Sequence, residues 1–164
     1  LDFILPLVGG LALVLAFLIW RRRGPRKPAH HVILDGSNVM YWRDNTPQVA
    51  TVQDVLRKVT ELGYHPGIMF DASAGYGLAG RYLDDRDFAQ LFRLPENRVI
   101  VVHKGTVADE VILQAARDLG ARILTNDRYR DWQDRFPEIA TPGHLARGGY
   151  RRGRLWLDLD PVGG

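Results

Sequence analysis

Cysteine is absent from the 164-residue chain, which excludes a disulfide framework and a cysteine-based zinc site. The absence fits a reducing compartment. Histidine is sparse: His30, His31, His65, His103 and His144 have no ligand spacing, and none is assigned to catalysis. There is no phosphate-cradling P-loop, no serine–histidine–aspartate order, no internal repeat and no low-complexity tract. With 46% hydrophobic residues the chain also lacks the composition of a disordered protein.

Charge is missing from one long stretch. Residues 3–20 are 18 uncharged, mostly aliphatic positions closing at Trp20. As a helix this stretch is about 27 Å long, just enough for a bilayer core. Arg21, Arg22, Arg23, Arg26 and Lys27 follow at once, and the positive-inside rule places them in the cytoplasm. A cleaved signal peptide would carry its cations before the apolar run, the reverse of the order here. A core helix of so small a domain would not be apolar all round and end in an arginine cluster. The expected organisation is a transmembrane helix over 1–20, a basic juxtamembrane linker over 21–30 and one domain over 31–160. That makes a single-pass protein of the inner (cytoplasmic) membrane, with the lipid bilayer as a partner and the domain in the cytoplasm. The formal charge of +3 then belongs to the junction, because beyond residue 27 there are 17 Lys and Arg against 18 Asp and Glu.

What is present in the remaining 137 residues is an alternation of apolar strands and amphipathic helices. Short buried strands are expected at 32–34, 67–70, 98–103 and 122–124. Helical spacing covers 51–62 with Thr51 as cap, 84–92, 108–119 with Gly120 as stop, and 129–136 before Pro137. The Gly- and Ala-rich stretch 73–80 reads as a mobile loop. Alternating Leu155, Leu157 and Leu159 suit an edge strand over 154–159. This order implies an α/β fold with a mainly parallel central sheet and helices on both faces. Ligands of such sheets sit beyond the carboxyl ends of the strands.

That rule singles out a set of acids. Asp35, Asp71 and Asp127 each end a strand, Asp109 and Glu110 open the helix after the third strand, and Asp131 follows Asp127 by four residues. Each has a plainer use. Asp35-Gly36 is a common turn pair, Asp109 stands three residues after Thr106 as in a capping box, Asp127 suits an N-cap, and Asp131 suits pairing with Arg128 or Arg135. Convergence at one sheet edge would instead need a cation or shared protons to relieve repulsion. Oxygen-only donors favour Mg²⁺ or Mn²⁺ over Zn²⁺.

Two blocks of residues resemble a known family. Val32-Ile33-Leu34-Asp35-Gly36-Ser37-Asn38-Val39 resembles the first-strand motif of PIN-like NYN nucleases. Thr125-Asn126-Asp127-Arg128-Tyr129-Arg130-Asp131 looks like the late motif of the Regnase-type (MCPIP-type) endoribonuclease branch, and Ala108-Asp109-Glu110 is similar to its middle acid pair. The resemblance spans about residues 31–140. It implies a PIN-like (NYN) domain and a metal-dependent endoribonuclease acting on single-stranded RNA. It also implies Asp35, Asp109, Asp127 and Asp131 as catalytic and metal-binding acids, with Asn38 orienting the first of them and Glu110 in support. The middle pair is Asp-Glu where that branch tends to Asp-Asp, and no CCCH zinc finger is present.

The expected chemistry is in-line attack of a metal-activated water on a phosphodiester, leaving a 5′-phosphate and a 3′-hydroxyl. Arg43, Lys104, Arg128 and Arg130 are candidate RNA contacts, with Arg81 and Arg86 also near the expected rim. Tyr41 and Trp42 suit either base stacking or packing beside the sheet, packing being favoured. Arg147, Arg151, Arg152 and Arg154, interleaved with Tyr150, form a second basic patch that suits either RNA or a solvated turn. The main alternative function is a non-catalytic, membrane-tethered RNA-binding or scaffold module of the same fold. A toxin-like PIN nuclease and a structure-specific DNA nuclease are weaker readings, the latter because the chain has no room for a helical arch.

Overall fold

The structure, a computed structural model, describes residues 30–163. The expected membrane span and most of the basic linker lie outside the described residues. Among the described residues no helix is long and apolar enough to cross a membrane.

Five parallel strands form the central sheet: β1 His31–Asp35, β2 His65–Asp71, β3 Val99–Val102, β4 Arg122–Leu124 and β5 Leu145–Ala146. Their spatial order is β3-β2-β1-β4-β5. The chain runs from β1 outward to β2 and β3, then returns to the other side of β1 as β4. The β1/β4 boundary is therefore the topological switch point, where a crevice opens beyond the strand ends.

Alternation along β1 sorts the two faces. Val32 and Leu34 join one buried cluster with Val52, Val55, Ile68, Phe70 and Phe88. Ile33 joins the other with Ile112, Leu113, Ala116 and Ile123. The first cluster is covered by α2 (Val49–Glu61) and α4 (Asp85–Phe92), the second by α5 (Ala108–Leu119). The period of two places Asp35 on the Ile33 face and Thr125, just after β4, on the Ile123 face. Both therefore point to the side that α5 covers.

Two short helices complete the first half, α1 (Gly36–Val39) directly after β1 and α3 (Ala74–Ala79). Gly36 is not a turn residue of positive φ. A Cβ there would collide with the ring of Phe70, which stacks on Phe88 at 4.1 Å. Helix α4 begins with a reciprocal capping box between Asp84 and Asp87, and the left-handed Gly120 ends α5 as expected.

Four local expectations are corrected. Helix α2 starts at Val49 after Gln48, and Thr51 lies inside it on the buried stripe. The bond from Gln48 N–H to the Met40 carbonyl directs the chain into the helix earlier than the Thr51 cap suggested. Residues 74–79 are helical and not loop, because Asp71 Oδ1 accepts both the N–H and hydroxyl of Ser73 and Gly75 packs where a Cβ would strike Leu83. In place of a helix over 129–136 there is one 3-10 turn, Arg130–Trp132, preceded by Tyr129 at φ 46. Finally, Arg154–Leu157 is not a strand of the main sheet. It is β7, paired antiparallel with β6 (Gly148–Arg151) in a separate hairpin, and the sheet edge is β5.

Candidate active site

Asp35 ends the central strand and is 8% exposed, one of three buried polar or charged residues among the described residues. Its Oδ1 accepts the backbone N–H of Asn38 at 3.2 Å. Its Oδ2 accepts the hydroxyls of Thr125 and Tyr129, each at 2.9 Å. Burial nevertheless raises its pKa above the ordinary carboxylate value, and the charge of Asp109 pushes in the same direction.

Asp109 reaches this edge because it continues the buried stripe of α5. Positions 109, 112, 113 and 116 lie on one helical face, and the last three are buried against the sheet. No side chain caps this helix, so Asp109 is not held in the capping box that Thr106 suggested. Burial raises its pKa, the charge of Asp127 adds to the rise, and a hydrogen bond from Trp132 opposes it.

Asp127 lies on the solvent side of the same edge. Its Oδ1 accepts the Tyr129 N–H at 2.8 Å, and its own N–H donates to Thr125 Oγ1 at 3.1 Å. One threonine hydroxyl thus bonds both Asp35 and the Asp127 backbone. Tyr129, 2% exposed, spans the site with its backbone on Asp127 and its hydroxyl on Asp35. Burial and the neighbouring Asp35 charge drive the phenol pKa upward, so the hydroxyl is a permanent donor. The left-handed backbone at a bulky tyrosine is a strained conformation, held here by those two bonds.

The other expected residues distribute differently. Asn38 touches Asp35 through its backbone only; its side-chain Oδ1 accepts the Trp42 indole N–H at 2.8 Å and the Asn126 N–H at 3.0 Å. It ties the first motif to the last. Glu110 pairs with Arg135 at 2.6 Å. Asp131 is exposed on the turn after Tyr129, next to the Trp132 that bonds Asp109. Asp71 is a strand-end cap bound to Ser73. Arg43 is held by Asp54 at 3.2 Å and stacked 4.2 Å over Tyr150, while Arg81 and Arg86 pair with Asp87 and Glu96. Lys104, Arg128 and Arg130 are exposed, and among the described residues none of them joins an ion pair. Trp42 is half-buried and Tyr41 is 40% exposed, so the two aromatics divide between packing and solvent.

Thr125 and Tyr129 were missed by sequence reasoning as functional residues. The available signal was their place in the late motif, one on each side of Asp127.

The Asp109 charge raises the Asp35 pKa and the Asp127 charge raises that of Asp109, and no cationic side chain is among the causes of either shift. They are not drawn into a closed ligand set. Among the described residues, no three His, Asp or Glu side chains form a group able to hold an ion as they stand. Their donor chemistry, oxygen-only and anionic at a sheet edge, fits a hard divalent cation. Their uncompensated charge is what such an ion would relieve.

The sheet order, the switch-point location and the acids define a PIN-like α/β domain of nuclease type. Residues 28–142 match the family model described as Zc3h12a-like Ribonuclease NYN domain, and the chain belongs to that family. Its fold is similar to nuclear proteinaceous RNase P 2 (PRORP2) from A. thaliana, at TM-score 0.60 and 17% identity over 89% of this chain and 32% of that one. A second structure of Arabidopsis thaliana nuclear protein-only RNase P 2 (PRORP2) is similar at TM-score 0.50 and 20% identity, over 98% of this chain and 35% of that one. The chain therefore spans about a third of the length of those two relatives. No curated protein sequence matches it.

Proposed function

We propose that the domain is a metal-dependent endoribonuclease that hydrolyses single-stranded RNA, held at the cytoplasmic face of the membrane by residues 1–20. The observation that carries the catalytic reading is the approach of Asp35, Asp109 and Asp127 to one another at the β1/β4 switch point, where burial and a neighbouring carboxylate raise the pKa of both Asp35 and Asp109. Family membership supplies the reaction class.

Asp35, Asp109 and Asp127 are the residues that would hold Mg²⁺ or Mn²⁺. Bound there, the ion would lower the pKa of a water and neutralise charge developing on the phosphoryl oxygens. Thr125 and Tyr129 fix the Asp35 carboxylate in one orientation, leaving its rotamer no freedom to drift when substrate enters. Asp131, exposed on the turn that carries Trp132, would accept a proton from, or orient, the attacking water. Lys104, Arg128 and Arg130 would meet the RNA phosphates.

The test uses the full chain, labelled single-stranded RNA and Mg²⁺ or Mn²⁺, with an EDTA control. Cleavage that stops with EDTA and in Asp35→Asn and Asp127→Asn variants is expected, giving 5′-phosphate ends. Cleavage that survives chelation, or either substitution, overturns the metal–carboxylate reading. RNA binding without any cutting would favour the scaffold alternative. For the anchor, a reporter fused after Gly164 is expected to be cytoplasmic and to sediment with membranes; a soluble or exported reporter overturns that part.

A further inference from the structure

The β6–β7 hairpin lies beyond residues 28–142, the segment that the family model matches. It is rooted on the candidate active site. The Asn126 side chain accepts the Gly148 N–H at 3.3 Å and donates to the Gly148 carbonyl at 2.9 Å, clamping the first residue of β6 beside Asp127. Gly148 also sits against the ring of Trp42, where a Cβ would collide, and Trp42 in turn bonds Asn38. The hairpin and the two acid-bearing motifs therefore share one hydrogen-bonded base.

Strand register divides its faces. Tyr150 opposes Leu155 and Gly148 opposes Leu157, while Gly149 opposes Trp156 and Arg151 opposes Arg154. Leu155 and Leu157 pack against the core. Tyr150 is fastened below by its hydroxyl bond to Asp54 at 3.0 Å and by the Arg43 guanidinium over its ring. The other face carries Arg151, Arg154 and Trp156, with the Arg151 guanidinium stacked 4.5 Å over the indole. Gly149 places no side chain beside that indole.

Within the hairpin itself, charge is of one sign. Residues 147–154 contain Arg147, Arg151, Arg152 and Arg154 and no acid. Among the described residues none of the four joins an ion pair, whereas Arg43, Arg57, Arg81, Arg86, Arg117 and Arg135 all do. Arg152 occupies the hairpin tip in a left-handed conformation at φ 51, where Gly or Asn would be unstrained. The domain as a whole is slightly acidic, so this cationic strip is local.

We propose that the outer face of the β6–β7 hairpin binds the single-stranded RNA flanking the scissile phosphate, with Arg151, Arg152 and Arg154 on phosphates and the Arg151–Trp156 stack against a base. Unpaired guanidiniums on a rigid strand pair suit phosphate oxygens, and a stacked guanidinium–indole unit offers a planar surface to an unstacked base. The inference rests on the nuclease reading for its substrate, but its readout is binding.

The test compares the full chain carrying Asp35→Asn with the same chain also carrying Arg151→Gln, Arg152→Gln and Arg154→Gln. Affinity for a labelled 20-nucleotide single-stranded RNA is measured by anisotropy across a salt series, with thermal melting as a folding control. Loss of about tenfold or more in affinity near 0.1 M salt is expected, and each lost phosphate contact lowers the log–log salt slope by about 0.7. A second variant carrying Arg151→Lys, Arg152→Lys and Arg154→Lys is expected to recover the slope but not all the affinity, since lysine cannot reproduce the stack or the fork. Equal RNA affinity in the Gln and parent proteins overturns the inference. The nuclease reading, judged by cleavage in the Asp35-intact chain, is decided separately. Unchanged RNA affinity with lost binding to phosphatidylserine vesicles also overturns it, in favour of a lipid contact.

Discussion

Tyr129 donates its phenolic hydrogen to Asp35 Oδ2 at 2.9 Å, joining residues 94 positions apart in the chain. Tyr129→Phe removes that donor from a buried carboxylate and leaves the shape of the site intact. The cost in stability is expected to be about 1–2 kcal/mol. Because the lost bond favours the ionised form, the Asp35 pKa rises further and the acid limb of the pH–rate profile moves to higher pH. A profile that does not shift, with rate lost evenly at all pH values, would show that the bond does not control ionisation.

Asp109 gives a prediction of opposite sign for stability and activity. Burial and the Asp127 charge raise its pKa in the folded state. A carboxyl raised on folding holds its proton more tightly in the native chain. Its contribution is therefore full below the unfolded carboxylate pKa of about 4 and is lost as pH rises through the folded value. At neutral pH, Asp109→Asn is expected to melt at a higher temperature than the parent, with the gap closing towards pH 4. Activity should fall by about 100-fold or more. A variant that melts lower at pH 7 would contradict the electrostatic account.

Metal addition separates the same two proteins. An ion at about 100 times its dissociation constant stabilises a binding-competent fold by about 2.7 kcal/mol. Mg²⁺ or Mn²⁺ titration should therefore raise the melting temperature of the parent chain and have little effect on Asp109→Asn. Equal shifts in both would place the ion elsewhere.

Glu110 is the neighbour that should matter least. It is paired with Arg135 at 2.6 Å on a partly exposed surface, and such pairs contribute about 1 kcal/mol or less. Glu110→Gln is expected to cost no more than a few-fold in kcat, against the large loss at Asp109. A loss comparable to that of Asp109→Asn would make both members of the pair catalytic.

Gly36 tests the packing beneath the site. The Phe70 ring occupies the space of a Cβ at this position, and Phe70 is itself stacked in the core. Gly36→Ala is expected to destabilise the domain by about 1–3 kcal/mol. Denaturant midpoints measure this directly, and a neutral result would mean that the ring moves aside freely.

Much of this architecture was legible in the residues themselves. Strand-length apolar runs and helical stripes located β1 to β4 and the helices at 49–61, 85–92 and 108–119, because burial on two faces leaves a strong periodic signal. The acids that end β1 and β2 and follow β4 pointed to the carboxyl edge of the sheet. The failures lie where tertiary bonds override local preference. Tyr129–Phe136 has helical spacing, yet a tyrosine bonded to both Asp35 and Asp127 cannot start an α-helix. The last apolar alternation looked like a sheet edge, but the turn at Arg152-Gly153 folds it back on β6. Asn38 meets Asp35 through its backbone N–H, while its side chain links Trp42 to Asn126, a partnership set by residues 88 positions downstream.

The parallel order of β1 and β4 also has a consequence during synthesis. Asp35 emerges from the ribosome early, but its partners Thr125 and Tyr129 follow a strand made long after it, and the hairpin follows later still. Until β4 is inserted beside β1, the carboxylates remain on separate, unassembled segments. On the nuclease function proposed above, a nascent chain of this kind would be catalytically silent towards the message that encodes it until nearly the whole domain has left the exit tunnel.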